Sequence, residues 1–328
     1  MTTDTLSEVL RAVRLTGAVF FDVRAVPPWV AEAPRAELVG PMILPGADHV
    51  IEYHVVTSGN CWAGLLDGEP VQLAQGDVVV FPQGDPHVVS SAPGMRRPPD
   101  LELHRARPDD RLPFLLDLGA GDAEPSQLVC GFLGCDARPF NPVLASLPRM
   151  LHVRGSAASA LRAQLVEVAV TESKQRRAGG ACALSRLSEL LFIEVVREYL
   201  EALPPESAGW LGGLRDPIIS RALGALHARP AHTWTLDVLA KEVGASRSVL
   251  AERFTYYAGV APMQYLARWR MQVATQLLRG SAASIAEVAR EVGYGSEAAF
   301  SRAFKRLVGE APALWRQGTR EADLTVDA

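Results

Sequence analysis

Five side chains in the first half of the chain have the chemistry of metal ligands: His54, Cys61, His87, Cys130 and Cys135. His87 closes the stretch GDVVVFPQGDPH, residues 76–87. There Gly76-Asp77 opens a turn, Val78 to Phe81 is an apolar run, and Pro82 with Gly84 turns the chain again. A short apolar run between turn residues is the pattern of a buried strand. Two imidazoles with one or two thiolates would suit tetrahedral zinc. Against this, four residues between Cys130 and Cys135 is not a strong metal spacing, and free cysteines are among the most commonly buried residues. Three readings of the thiols stand side by side: zinc ligands, inert core, or a redox pair.

The elements that must position these residues fall into three regions. Residues 1–155 are rich in Pro, Gly and β-branched residues, with apolar runs between turn pairs such as Asp67-Gly68. This reads as many short strands, a barrel or sandwich, preceded by a helix near Leu6 to Leu15. Ser91–Pro125 has little pattern and reads as a loop or partly disordered insertion. Residues 156–206 switch to a helical period. One helix is expected over Ala158–Thr171, and a second carries Leu184, Leu187, Leu191 and Val195 on one face until Pro204-Pro205 ends it. That stripe is either a dimer seam or a face packed on the barrel, and the dimer seam is the favoured reading. Residues 214–320 read as all helix.

The chain of 328 residues is 48% hydrophobic and 21% charged, which fits a soluble two-domain protein. It lacks the run of about 18 apolar residues that a membrane-spanning helix needs. The N-terminus carries acids and does not read as a secretory signal, so a cytoplasmic location and reduced cysteines are expected. The net charge of −4 hides an asymmetry. Leu214–Arg320 holds 15 Lys+Arg against 8 Asp+Glu; the rest holds 33 − 15 = 18 against 37 − 8 = 29. A basic C-terminal third on an acidic body points to a polyanion partner.

That third contains a repeat. LAKEVGASRSVLAERF, residues 239–254, parallels VAREVGYGSEAAFSRAF, residues 288–304. Each copy has an apolar-Ala pair, a Val-Gly pair (Val243-Gly244, Val292-Gly293), a serine (Ser246, Ser296) and two anchors four residues apart (Leu250 and Phe254, Phe300 and Phe304). The small Ala lets two helices approach, the glycine permits a left-handed turn, and the serine caps the second helix. This is the pattern of a helix-turn-helix, whose second helix leaves one face free for a major groove. Helical hairpins of this shape also occur as plain packing units, but two copies in the basic region favour DNA binding. PMQYLARWRMQVATQLL, residues 262–278, starts with proline and reads as a long connecting helix.

Residues 214–320 resemble the DNA-binding domain of the AraC/XylS family of transcription regulators, through EVGYGSEAAFSRAFKR (291–306) and PMQYLARWRM (262–271). The resemblance implies two helix-turn-helix units joined by a rigid helix and reading successive major grooves. Carried over by position, Arg247, Ser248 and Glu252 belong to the first recognition helix, and Glu297, Ser301 and Arg302 to the second, with Lys305 and Arg306 nearer the phosphates. Many members carry a basic residue at the position of Glu252; its alternatives are pairing with Arg253 or plain solvation.

The opening stretch resembles the second motif of the cupin superfamily through Gly76, Pro82, Gly84 and His87, with Ser91 where an asparagine is expected. In the first motif His54 is followed by Val56 where a second His belongs, Cys61 takes the Glu position and Gly68 the closing Gly. An iron oxygenase needs both histidines and open coordination positions, so these exchanges argue against enzyme activity. Residues 1–203 resemble the cupin-type sensor domain of some AraC-like regulators, through EYHVVTSGNCWAGL, GDVVVFPQGDPHVVSS, LVCGFLGCDARPFNPVLASLPRMLHV and RLSELLFIEVVREYL. Relatives of that sensor type are linked to oxidant or electrophile sensing.

The expected architecture is α+β and multidomain: a cupin β-barrel (double-stranded β-helix) over 1–155, a helical linker or dimerisation segment over 156–206, and an all-α domain with two helix-turn-helix units over 214–320. The expected function is a one-component regulator whose barrel senses a small molecule, metal or oxidant. It would bind operator DNA as a homodimer, possible zinc would sit in the barrel, and RNA polymerase is a further partner. The alternatives are a metal-dependent cupin enzyme fused to a DNA-binding domain, and a barrel that only dimerises.

Overall fold

Side chains alternate across a strand, so residues two apart share a face. Along β3 (His49–Ser58) this puts Glu52, His54 and Val56 on one side and Tyr53 and Val55 on the other. The computed structural model describes residues 4–17, 20–104, 114–155, 160–175 and 177–318. Part of the expected insertion, residues 105–113, lies outside the described residues.

In chain order the elements are α1 (Thr5–Ala12), β1 (Phe20–Ala25), β2 (Val30–Ala33), α2 (Ala36–Ile43), β3, β4 (Asn60–Leu65), β5 (Val71–Ala74), β6 (Val78–Phe81) and β7 (His87–Ser90). Then come β8 (Phe114–Leu118), β9 (Ser126–Cys135), α3 (Pro142–Ser146), β10 (Leu151–Val153), α4 (Ala160–Gln175) and α5 (Gly180–Ala202). The remainder is helical: α6 (Trp210–Arg215), α7 (Pro217–Ala228), α8 (Leu236–Val243), α9 (Arg247–Ala258), α10 (Pro262–Gly280), α11 (Ile285–Glu291) and α12 (Glu297–Val308).

Among the described residues ten strands make two sheets, ordered β10-β6-β3-β9-β1-β8 and β2-β7-β4-β5. All neighbours are antiparallel except β1 and β8. The apolar core draws on both sheets, with Phe21, Val56, Leu128 and Phe132 from the first and Cys61, Ala63, Leu73 and Val89 from the second. This is the cupin barrel expected from the sequence. Its opening motif is braced by Asp77, which accepts from the Gly155 N–H at 2.6 Å, His152 Nε2 at 2.9 Å and the Ala74 N–H at 3.1 Å. Burial works to raise the Asp77 pKa; these hydrogen bonds outweigh it and hold the carboxyl below its usual range.

The α5 stripe is not a free seam. Leu184, Leu191 and Val195 are buried, and Leu191, Phe192 and Val195 meet Tyr53, Val78 and Val80 on the outer face of the six-stranded sheet. Tyr53 and Ser188 share a 2.6 Å hydrogen bond there. The dimer-seam expectation for this stripe is therefore corrected: the barrel's own outward residues form an apolar face that α5 covers. Arg162, 2% exposed, fastens α4 in place by donating to Glu198, the Gly76 carbonyl and the Arg154 carbonyl.

The packing divides the chain differently from the expected boundaries at 155 and 214. One body comprises residues 15–135 and 147–202, so α4 and α5 belong with the barrel. The other comprises residues 1–14, 136–146 and 203–328. Gln272 shows why the first and third pieces join. Buried on α10, it donates to the Ala12 carbonyl at 2.7 Å and accepts from the Phe140 N–H at 3.1 Å. Arg279 adds an ion pair to Asp136 at 3.1 Å.

Candidate nucleic acid interface and barrel cavity

In the helical body each half of the sequence repeat folds as helix, turn, helix. In the first, α8 buries Leu239, Ala240 and Val243, and Gly244 ends it at φ +68°. Ser246 then caps α9, its Oγ accepting from the Val249 N–H at 3.3 Å. In the second, a Ser284–Glu287 capping box starts α11, Gly293 turns at φ +84°, and Ser296 caps α12 through the Ala299 N–H at 3.2 Å. Leu250 and Phe254 bury one face of α9; Phe300, Ala303 and Phe304 bury one face of α12. Each buried aromatic contributes roughly 1.5–3 kcal/mol, and the opposite face of α9 and α12 stays in water.

That opposite face carries the sequence-predicted residues. Arg247, Ser248 and Glu252 are exposed on α9; Glu297, Arg302, Lys305 and Arg306 are exposed on α12, and Ser301 is half-buried. Arg247 lies 3.1 Å from Asp237, an exposed pair of small energetic weight. Arg253 is engaged by Asp216, the N-cap of α7, so Glu252 does not hold it. Arg270 is likewise structural: it donates to the carbonyls of Pro230 and His232.

The barrel body encloses a cavity of about 310 Å³. Its walls include Phe21, Val23, Trp29, Leu116, Leu128 and Phe132, and its polar lining includes Glu52, His54, His87 and Cys130. Cross-strand register explains the grouping. His54 lies opposite Cys130, Glu52 opposite Phe132, and Phe21 opposite Cys130, so all share the inward face. From the other sheet His87, fully buried on β7, brings its Nε2 to 2.8 Å from His54 Nε2 and 3.7 Å from Glu52 Oε2. Burial pushes the Glu52 carboxyl up to about 8 and holds the His54 imidazole neutral, helped by His87 beside it.

A family model described as Cupin matches residues 4–201, and one described as Helix-turn-helix domain matches residues 239–318. A putative AraC-like transcription regulator of Streptomyces lividans is 34% identical over 83% of this chain and 88% of its own length. The HTH-type transcriptional regulator AlkR of Acinetobacter baylyi is 32% identical over 80% of this chain and 87% of its own. The chain belongs to the AraC family of transcription regulators. Among solved structures, the DNA-binding domain of AdpA in complex with a target DNA is 32% identical, covering 32% of this chain and 95% of that one, with a TM-score of 0.31.

In this AraC-family chain the five expected metal ligands do not form one donor set. His54 and His87 meet, and Cys130 shares their face. Cys135 stands an odd number of residues from Cys130 on the same strand and points to the opposite face. Cys61 shares the inward face, but on β4 it lies four residues from Leu65, the partner of His87, a displacement of about 13 Å at strand rise. Two nitrogens on one tetrahedral zinc stand about 3.3 Å apart; the 2.8 Å His54–His87 spacing is a hydrogen bond instead. Among the described residues no group of three His, Cys, Asp or Glu side chains is arranged to hold a metal ion. In this geometry His54, His87 and Cys130 share the inward face, Cys61 lies further along it, and Cys135 faces away from Cys130. Burial pushes the Cys61 thiol up to about 12 and raises Cys130 further, so neither is a ready thiolate.

Glu52 was absent from the expected site. Its signal was the spacing Glu52-x-His54, which has the same two-residue period as His54-x-Val56. Ser91, in the place of the expected asparagine, donates its hydroxyl to the Trp29 carbonyl at 3.2 Å and accepts from the Trp29 N–H at 3.0 Å, fixing that cavity wall.

Proposed function

We propose that this regulator is a one-component switch: the barrel cavity receives a small molecule, and the paired recognition helices α9 and α12 read the operator. The observation that carries the receptor reading is the cavity itself, apolar-walled with a few inward polar groups, the usual make-up of a small-molecule site. The recognition helices are joined by α10, whose 19 residues span about 28 Å, somewhat short of the roughly 34 Å of one duplex turn. Arg247 and Arg302 are the base-reading candidates, and Lys305 and Arg306 the phosphate contacts.

The barrel is proposed as a receptor and not a catalyst, because its two histidines spend their facing nitrogens on each other. A homodimer and a contact with RNA polymerase rest on the family alone; sedimentation of the full-length protein with and without operator tests the first.

The test of the receptor reading is operator affinity across a panel of compounds that bind the barrel. At least one cavity ligand shifts affinity fivefold or more, and Val89→Trp, which fills the cavity, removes the shift while leaving unliganded affinity unchanged. Barrel ligands that all leave operator affinity unmoved would refute it.

A further inference from the structure

The two recognition helices align residue by residue, because their starts and their buried faces coincide. Ser246 and Ser296 each accept from the backbone N–H three residues on, at 3.3 and 3.2 Å. The anchors, Leu250 with Phe254 and Phe300 with Phe304, stand four and eight residues after the cap in both helices, and all four are fully buried. Successive side chains turn by about 100° around a helix, so the residue six after the cap lies about 180° from the middle of the anchored face. Of all positions it faces a major groove most squarely. In α9 that residue is Glu252; in α12 it is Arg302. Equal positions hold opposite charges.

Neither charge is spent within the helical body. Both residues are exposed, and among the described residues neither makes a hydrogen bond or ion pair. Arg253, beside Glu252 in sequence, is held by Asp216. The residues three and four away from Glu252 along α9 are Ser248, Val249, Thr255 and Tyr256, none of them a cation. Those around Arg302 are Ala298, Ala299, Lys305 and Arg306, none of them an acid. On DNA the two side chains ask for different bases. A carboxylate only accepts, and cytosine alone shows the major groove an amino donor with no acceptor beside it. Guanine, adenine and thymine each present an acceptor there, which repels it. A guanidinium only donates, and guanine O6 with N7 takes it in a bidentate way. Glu252 therefore selects as much by what it rejects as by what it binds.

We propose that Glu252 is a specificity-determining residue: α9 selects cytosine at the position where α12, through Arg302, selects guanine. The two half-sites of one operator then carry that G·C pair in opposite orientations. This rests on the operator reading proposed above and names one base pair within it.

The test uses the full-length protein and an operator selected from random duplexes, with each base pair set in turn to all four identities. Affinities are compared as ratios at one salt concentration, so that the uniform phosphate attraction of an added cation cancels. At one base pair of the first half-site wild type prefers C·G over G·C at least fivefold. Glu252→Arg inverts that preference at the same pair and leaves the other positions within twofold. Glu252→Gln moves it toward A·T, since glutamine pairs with adenine N6 and N7. Thermal melts show that both variants fold. A preference at every position unchanged in both variants would overturn the proposal. So would a gain in affinity equal for all sequences, the mark of a carboxylate that only repels phosphates. Either result leaves the operator reading standing; a wild type that binds all duplexes alike would overturn that reading and this proposal with it.

Discussion

Replacing Glu52 by glutamine should make the barrel more stable, although it alters a fully buried polar residue. Burial holds the Glu52 pKa at about 8 against 4.5 for an ordinary glutamate. Between those values the unfolded chain ionises and the folded chain stays protonated, so wild-type stability falls as pH rises. At pH 7, which lies 2.5 pH units above the ordinary glutamate value of 4.5, the loss is about 3 kcal/mol, and above pH 8 it approaches about 5 kcal/mol. Glutamine is a neutral isostere of the protonated acid and carries no such linkage. Glu52→Gln should therefore match wild type near pH 4 and exceed it by about 3 kcal/mol at pH 7, on the order of 5–10 °C in Tm. Thermal melts of both proteins from pH 4 to pH 9 make the measurement. A variant no more stable than wild type at pH 8, or a gap that does not grow with pH, would show that Glu52 is already ionised in the folded barrel.

Two glycines should part company on substitution. Gly244→Ala meets no atom within 4 Å and suffers only its left-handed backbone, about 1–2 kcal/mol. Gly293→Ala would set its Cβ 2.7 Å from the Ala231 backbone and 2.8 Å from an Arg270 nitrogen, so it should cost more and loosen the second helix-turn-helix; melts with operator titrations compare them. Gln272→Ala removes the tie to Ala12 and Phe140 and should destabilise the helical body by about 1–3 kcal/mol in urea unfolding. Lowering the pH through the depressed Asp77 pKa should remove the stability that its ionised carboxyl supplies above the ordinary aspartate range; Asp77→Asn should flatten the acid limb of the unfolding curve.

The parts legible in the sequence are those with local causes. Ser246 and Ser296 cap because a helix start needs an acceptor, and the Val78–Phe81 run is a strand because turn residues bracket it. What was hidden depends on partners distant in the chain. The α5 stripe announces a buried face without saying that Tyr53, Val78 and Val80 will cover it. Likewise α1 is amphipathic wherever it docks; Gln272, 260 residues beyond Ala12, decides the matter. Cys135 is the converse case. Once β9 is a strand, parity alone turns it away from Cys130. Glu52 was masked because its approach to His87 requires two strands from different sheets to face each other.

The central claim is that α12 reads bases through Arg302 while Lys305 grips the backbone. Its most direct test is the affinity of full-length wild type, Arg302→Ala and Lys305→Ala for an operator selected from random duplexes, and for its single-base variants, at several salt concentrations. Arg302→Ala should cost about 1–3 kcal/mol and erase discrimination at one base position; Lys305→Ala should weaken every sequence alike and reduce the salt slope by about 1. Equal, sequence-independent losses for Arg302→Ala, or full discrimination retained without it, would contradict the account.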